Sequence, residues 1–181
     1  DVNDSFKEKP GSVPAINMSL DKALEAENLD AKSVILSTRN NELPTELYPV
    51  LTNFNYVLAV LMINNEKRLL DATEEYAPFG IIPNRALNVK GRVLDFRKGS
   101  YWIPIEPFKQ NIYYTNSQIT ADLNGSFKGK VSQANYGYIA LRKRNRIQGE
   151  TLLEYKKNKE KHKAGIEIEN LEVEDLDLIE N

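Results

Sequence analysis

The stretch "NFNYVLAVLMINNEKRLLDATEEYAPFG", residues 53–80, decides how this chain is read. Its apolar run from Val57 to Ile63 is unbroken, so 56–63 is expected to be a strand covered on both faces. Asn64 and Asn65 follow, and Asn tolerates the positive φ that a two-residue hairpin turn demands. "EKRLLDAT" (66–73) then returns as the partner strand. With that turn, Leu58 lies opposite Asp71 and Tyr56 opposite Thr73. Tyr56 and Asp71 therefore share a face, one diagonal apart, about 7–8 Å between backbones.

The surrounding chain is globular in composition, 181 residues with 41% hydrophobic and 28% charged side chains. A net charge of −2 gives no global pull toward nucleic acid or membrane. There is no cysteine, which excludes disulfides, thiolate metal sites and a thiol nucleophile. His162 is the one histidine, and it sits in a lysine-rich run that reads as exposed. No apolar stretch approaches the ~20 residues of a membrane-spanning helix. No cofactor or metal site is legible, and neither nucleic acid nor a transmembrane segment is expected.

Working outward, residues 1–12 read as a polar leader with the character of a cut end. A helix is expected over 13–27, with Ile16, Leu20, Ala23 and Leu24 inward, Ser12 as cap and Asn28 at its left-handed end. "AKSVILST" (31–38) reads as a strand and 39–49 as a polar loop. Residues 78–91 wander through Pro, Gly and Asn, and 92–96 and 101–107 form a strand pair turning at Lys98-Gly99. Over 112–134 a meander is expected. The apolar sets Ile119, Ala121, Leu123 and Phe127, Gly129, Val131 share a face only if Asn124-Gly125 sits in a three-residue loop or a bulge.

A long helix is expected over 136–163, weakest at Gly149, then an edge strand or frayed tail over 166–181. Residues 142–163 carry nine bases against three acids, and 166–181 carry seven acids and no base. The plain reading is a solvated helix face that attracts the acidic segment. A nucleic-acid patch would need interleaved aromatics, and only Tyr155 offers itself.

A base on one strand and its orienting carboxylate on the next is one layout of a Cys-His-Asp triad, with the nucleophile at a helix start where the dipole lowers a thiol pKa. "PGSVPAINMSLDKALEAENLDAKSVILSTRNN", "FNYVLAV" and "LLDATEEYAPFGIIPNRALNVKGR" together resemble the later part of a transglutaminase-like, papain-type domain. More narrowly, they are similar to bacterial cell-envelope proteins in which such a core precedes a β-rich domain of unknown function. The resemblance covers about residues 7–105 well and 106–150 loosely, with "LLDAT" and "PFG..P" its most specific pieces.

The resemblance implies that the family's Asp falls on Asp71, its His on Tyr56, within a motif that active members write F-N-H, and its Cys at about Ser12 or Val13. Two of three catalytic positions are thus replaced. A phenol of pKa about 10 is a poor base at neutral pH, and a serine without an adjacent base is a poor nucleophile.

The expected fold is α+β. A helix packs on an antiparallel sheet as a partial transglutaminase-like core over 13–91, and a β-rich module with the helix 136–163 occupies 92–181. The resemblance implies a non-catalytic binding module or scaffold in the periplasm or outside the cell, taking a peptide, a glycan or an envelope protein. Tyr48, Tyr76, Tyr101 and Trp102 are candidates to line a groove. One rival is a cysteine-free hydrolase or acyltransferase using Ser12 or Ser19. Another is a protein-interaction module acting through edge strands of the C-terminal part. Asp71 itself is expected to serve as a strand-end acceptor for backbone and Thr73 hydrogen bonds.

Overall fold

The computed structural model describes residues 11–48, 50–163 and 165–176. Most of the expected leader, and the end of the acidic segment with Asp177 and Glu180, lie outside the described residues. The fold is α+β, and the chain forms two compact units that divide between Phe108 and Lys109.

The first unit opens with α1 (Val13–Ala26). Pro14 is tolerated in its first turn, where backbone N–H groups have no helical partner in any case. Ser12 precedes it in extended conformation, but its side chain makes no capping bond; only its carbonyl accepts, from Ile16 N at 3.0 Å. Asn28 follows with φ 62° and ends the helix in the left-handed region, as expected. The inward stripe differs from the apolar one expected. Asn17 and Asp21 are buried beside half-buried Leu20 and Leu24, while Ala23 is exposed. The strands beneath supply polar partners, so buried amide and carboxylate groups are tolerated there.

Those strands are β1 (Ala31–Leu36), β2 (Tyr56–Ile63), β3 (Glu66–Leu70), β4 (Lys90–Val93) and β5 (Tyr101–Pro104), in the antiparallel order β3-β2-β1-β4-β5. The β2–β3 hairpin has the expected register, from Ile63↔Glu66 to Ala59↔Leu70, and Asn64 and Asn65 hold φ of 51° and 64°. Both faces of β2 are covered. Ala59 and Leu61 join Ala31 and Leu70 under Leu20 and Leu24 of α1. By strand alternation Tyr56, Leu58 and Val60 fall on the other face, where the register places Val34, Leu36 and Val93. Buried Ile81, Ile82, Ala86, Leu87, Ile103 and Ile105 complete the core.

The expected division at 91/92 falls inside β4, which pairs with β1 through Leu36↔Gly91 and Val34↔Val93. The 92–105 strands therefore belong to the first sheet. Their turn is built by Asp95, whose carboxylate accepts from Lys98 N at 2.8 Å and Arg97 N at 2.9 Å. Those backbone bonds, the Lys98 one foremost, hold its pKa below the usual carboxylate range.

The second unit contains β6 (Ile112–Ala121), β7 (Phe127–Tyr136), α2 (Tyr138–Gln148) and α3 (Leu152–Lys161). Ala121 pairs with Phe127, and Asp122 N donates to Ser126 O, leaving the three-residue loop 123–125 that parity requires. Gly125 takes φ 82° there. In place of one helix over 136–163 there are two. Gly149 ends α2, and Thr151 starts α3 with a capping box: its hydroxyl accepts from Glu154 N, and the Glu154 side chain accepts from Thr151 N. Among the described residues the segment from 166 forms no strand; its backbone is held at Ile168 N, which donates to Glu160 Oε1 at 2.8 Å.

The tight approach of β1, β4 and the chain after β5 makes a checkable demand. A Cβ at Gly91 would lie 2.7 Å from Val34 Cγ1 and 3.1 Å from Ile105 Cδ1, inside a packed core. Gly91→Ala is expected to destabilise the first unit by about 1–3 kcal/mol in denaturant melts.

Candidate functional site

Asp71 lies one residue beyond β3, where the returning strand leaves the sheet. Its carboxylate draws together the elements on either side. Oδ2 accepts from the Tyr56 hydroxyl at 2.7 Å. Oδ1 accepts from Asn17 Nδ2 at 2.9 Å, Thr73 N at 2.9 Å and Thr73 Oγ1 at 2.6 Å. The local pair with Thr73 bends the chain out of the ladder, which is why β3 ends at Leu70 rather than at 73.

Asn17 is fully buried and uses both ends of its amide. Nδ2 also donates to Val57 O at 2.9 Å, and Oδ1 accepts from Ala72 N at 2.7 Å. One helical side chain thus ties α1 to β2 and to the bend after β3.

Tyr56 is 5% exposed. Its hydroxyl donates to Asp71 and accepts from Arg85 Nη2 at 2.9 Å, while the guanidinium carbon stands 5.3 Å from the ring centroid. Arg85 belongs to the short 3-10 turn Asn84–Ala86, and its Nη1 pairs with Glu74 Oε1 at 2.7 Å. Burial, with the Asp71 carboxylate beside it, pushes the phenol up to about 12 against the opposing pull of Thr73 and Arg85. At neutral pH Tyr56 is therefore a donor held in its protonated form. It has no capacity to take a proton from a nucleophile.

The other candidates lie elsewhere. Ser19 is buried and donates to Ala15 O at 2.8 Å, one helical turn back. Ser12 is exposed ahead of α1, and the hydrogen bonds of Asp71 reach neither serine. His162 is an exposed residue closing α3. Tyr101 and Trp102 occupy successive positions of β5 and so project from opposite faces. Trp102 stacks on Phe54 with centroids 6.1 Å apart, and Lys90 and Arg92 stand 5.3 and 5.5 Å from its ring. Tyr48 is exposed and Tyr76 half-buried. Tyr101 and Trp102 thus cannot line one groove together. Among the described residues no group of three or more His, Asp or Glu side chains is placed to hold a metal ion.

Asn17 and Arg85 are the members that sequence reasoning missed. An asparagine three residues before Leu20 and four before Asp21, on the inner face of an amphipathic helix, was a usable signal for the first. Arg85 lies in an irregular segment with no period, and nothing in the chain pointed to it.

Two expectations follow. Asp71→Ala removes four accepted bonds and strands the buried amide of Asn17, so it should lower stability by about 3 kcal/mol; Asp71→Asn should cost less, because an amide oxygen still accepts. Asn17→Ala should cost about 2–4 kcal/mol in the same denaturant melts, since Ala72 N and Val57 O lose their partner.

The second expectation concerns alkaline pH. A phenol raised to about 12 from an ordinary value near 10 favours the folded state while protonated. Its contribution, about 3 kcal/mol, is complete below pH ~10 and is lost as pH rises through ~12. Tyr56→Phe should remove that alkaline limb from a stability profile; an unchanged limb would refute the assignment. No family model, curated protein or solved structure matches the chain.

Proposed function

We propose that this chain is a non-catalytic module with a transglutaminase-like core, a pseudoenzyme that serves the bacterial cell envelope as a scaffold or binding protein, in the periplasm or outside the cell. The observation that carries the reading is what Asp71 bonds to. Every bond it accepts comes from a neutral donor that also builds the fold: Tyr56, Asn17 and Thr73. Tyr56, at the position where the resemblance puts a histidine base, is kept protonated by its own burial. No cysteine exists in the chain, and Ser19 spends its hydroxyl on its own helix. An acyl-transfer site needs a nucleophile, a base and an orienting group in contact, and only the third is present.

The exposed ribbon of the second unit favours a narrower version. Among the described residues β6 and β7 pair only with each other, and Ile119, Phe127 and Val131 are exposed on the ribbon. Each strand has an open edge of ten residues without proline. An extended peptide could add a third strand there, its main chain giving affinity and the apolar face giving selectivity. In this reading the first unit is the folded support and the ribbon is the contact surface.

Incubation with a fluorophosphonate probe and with amine-donor transglutaminase substrates should give neither labelling at Ser12 or Ser19 nor turnover. Tyr56→His should not create activity, because the hydroxyl beside that position, Thr73 Oγ1, is committed to Asp71. Turnover abolished by Asp71→Asn would overturn the non-catalytic reading. For the ribbon, capture from the native envelope should be lost in Ile119→Asp with Phe127→Asp while the melt of the first unit is unchanged. Capture that persists in that variant removes the ribbon from consideration.

A further inference from the structure

The second unit gathers like charges in a way that its fold alone does not require. Lys143 of α2 stands with its Nζ 5.1 Å from the ring centroid of Tyr113 on β6. Arg146 of the same helix and Lys159 of α3 stand 5.6 and 5.1 Å from the ring of Tyr155. Lys163 lies close enough to bear on Lys159. The tyrosine is buried and its ring offers two cations the negative face of its quadrupole. Burial and the neighbouring charges of Lys143 and Lys163 push the Lys159 ammonium down from its ordinary value.

Partners for this excess are scarce. Glu150 takes Arg146 at 3.0 Å and also accepts from Asn158, and among the described residues no carboxylate pairs with Lys143, Lys159 or Lys163. The acidic segment does not fill the gap. Glu167, Glu169, Glu172, Glu174 and Asp175 are exposed, and none forms an ion pair with Lys159 among the described residues. Tethered carboxylates a few residues away act at an effective concentration of the order of millimolar. Among the described residues none of them forms an ion pair with Lys143, Lys159 or Lys163, which leaves these cations to an anion from outside the chain.

We infer that Tyr113, Lys143, Arg146, Tyr155, Lys159 and Lys163 form a binding site for linked phosphate groups. Lysines are point charges suited to phosphate oxygens, and the arginine adds a fork. Four cations against one carboxylate exceed what a single phosphate neutralises, so the fitting ligand carries two or more. The sequence alone offered Tyr155 as the one aromatic in the basic block; the fold brings Tyr113 to it from β6.

Titration calorimetry of the full chain with inorganic tripolyphosphate tests the site. Binding is expected, weakened about tenfold or more in Lys143→Gln with Lys159→Gln and changed less than about twofold in Lys67→Gln, a control within the first unit. Citrate, a carboxylate probe of similar charge, should bind about tenfold more weakly or not at all. The double variant relieves repulsion, so it should melt at or above the parent temperature; if it does not, Lys143→Gln alone carries the comparison. Vesicles containing phosphatidylglycerol separate the sources. Binding that needs the same two lysines places the phosphates on a lipid surface, and no vesicle binding places them on a free chain. No heat with tripolyphosphate, equal loss in the control, or citrate binding as tightly would overturn the assignment. So would a single-stranded oligonucleotide that binds far more tightly than tripolyphosphate, because base stacking would then be the recognised feature.

Discussion

The first unit depends on one carboxylate at the place where a strand stops. Asp71 lies at the meeting point of three structural problems: the exit of β3, the seating of α1 on the sheet, and the buried phenol of Tyr56. Each supplies a donor that would otherwise be orphaned, and the four accepted bonds solve all three at once. Hydrogen bonds to a carboxylate contribute about 1.5–3 kcal/mol, roughly twice a neutral bond, and an abandoned buried donor costs about 1–3 kcal/mol more. A net stability of about 5–15 kcal/mol is typical for a domain. A network of this size is then comparable to the whole margin, and it concentrates that margin in Asn17, Tyr56 and Asp71.

The arrangement also accounts for Arg85. A guanidinium near a carboxylate would ordinarily pair with it directly. Here it bonds the phenol oxygen and Glu74 instead, so Tyr56 lies between positive and negative groups. The hydroxyl then has one donor and one acceptor role, both used. In this geometry Tyr56 is a fixed link between two charged side chains, Asp71 and Arg85.

What the sequence made legible follows from how local each cause is. The β2–β3 hairpin rests on an unbroken apolar run and two asparagines, all within a few residues, so its register and the shared face of Tyr56 and Asp71 were readable. Parity alone required the three-residue loop at 123–125. The failures are non-local or competitive. The inner stripe of α1 was read as apolar, but Asn17 and Asp21 are buried because β1, β2 and the 71–72 bend provide partners, with Ser33 donating to Asp21 at 2.7 Å. The division at 91/92 was misplaced because the pairing of β4 with β1 spans more than fifty residues of chain. The single helix over 136–163 lost to a strong start signal at Thr151, where a capping box outweighs continuity through Gly149.

The two units place their polar side chains differently, although both expose large apolar residues, Leu47, Tyr48 and Phe96 of the first unit among them. In the first, several polar groups go inward with protein partners: Asn17, Ser19, Ser33, Ser37 and Asp95 are buried and bonded, and Asp21 is bonded through Oδ2 while its Oδ1 is left without a partner. Oδ1 of Asp71 takes three of its four accepted bonds and Oδ2 one, so most of the carboxylate's capacity is used within the fold. In the second, apolar and charged groups go outward. Ile119, Leu123, Phe127 and Val131 are exposed along the ribbon, and Lys143, Lys159 and Lys163 stand without carboxylates among the described residues. Exposed apolar surface and unneutralised charge both raise the free energy of the isolated chain, and both are lowered by contact with something else. By one physical criterion, whether a group's interactions are met within the fold, the hydrogen bonds of Asp71 belong to the architecture, while Lys143, Lys159 and Lys163 have no carboxylate partner among the described residues.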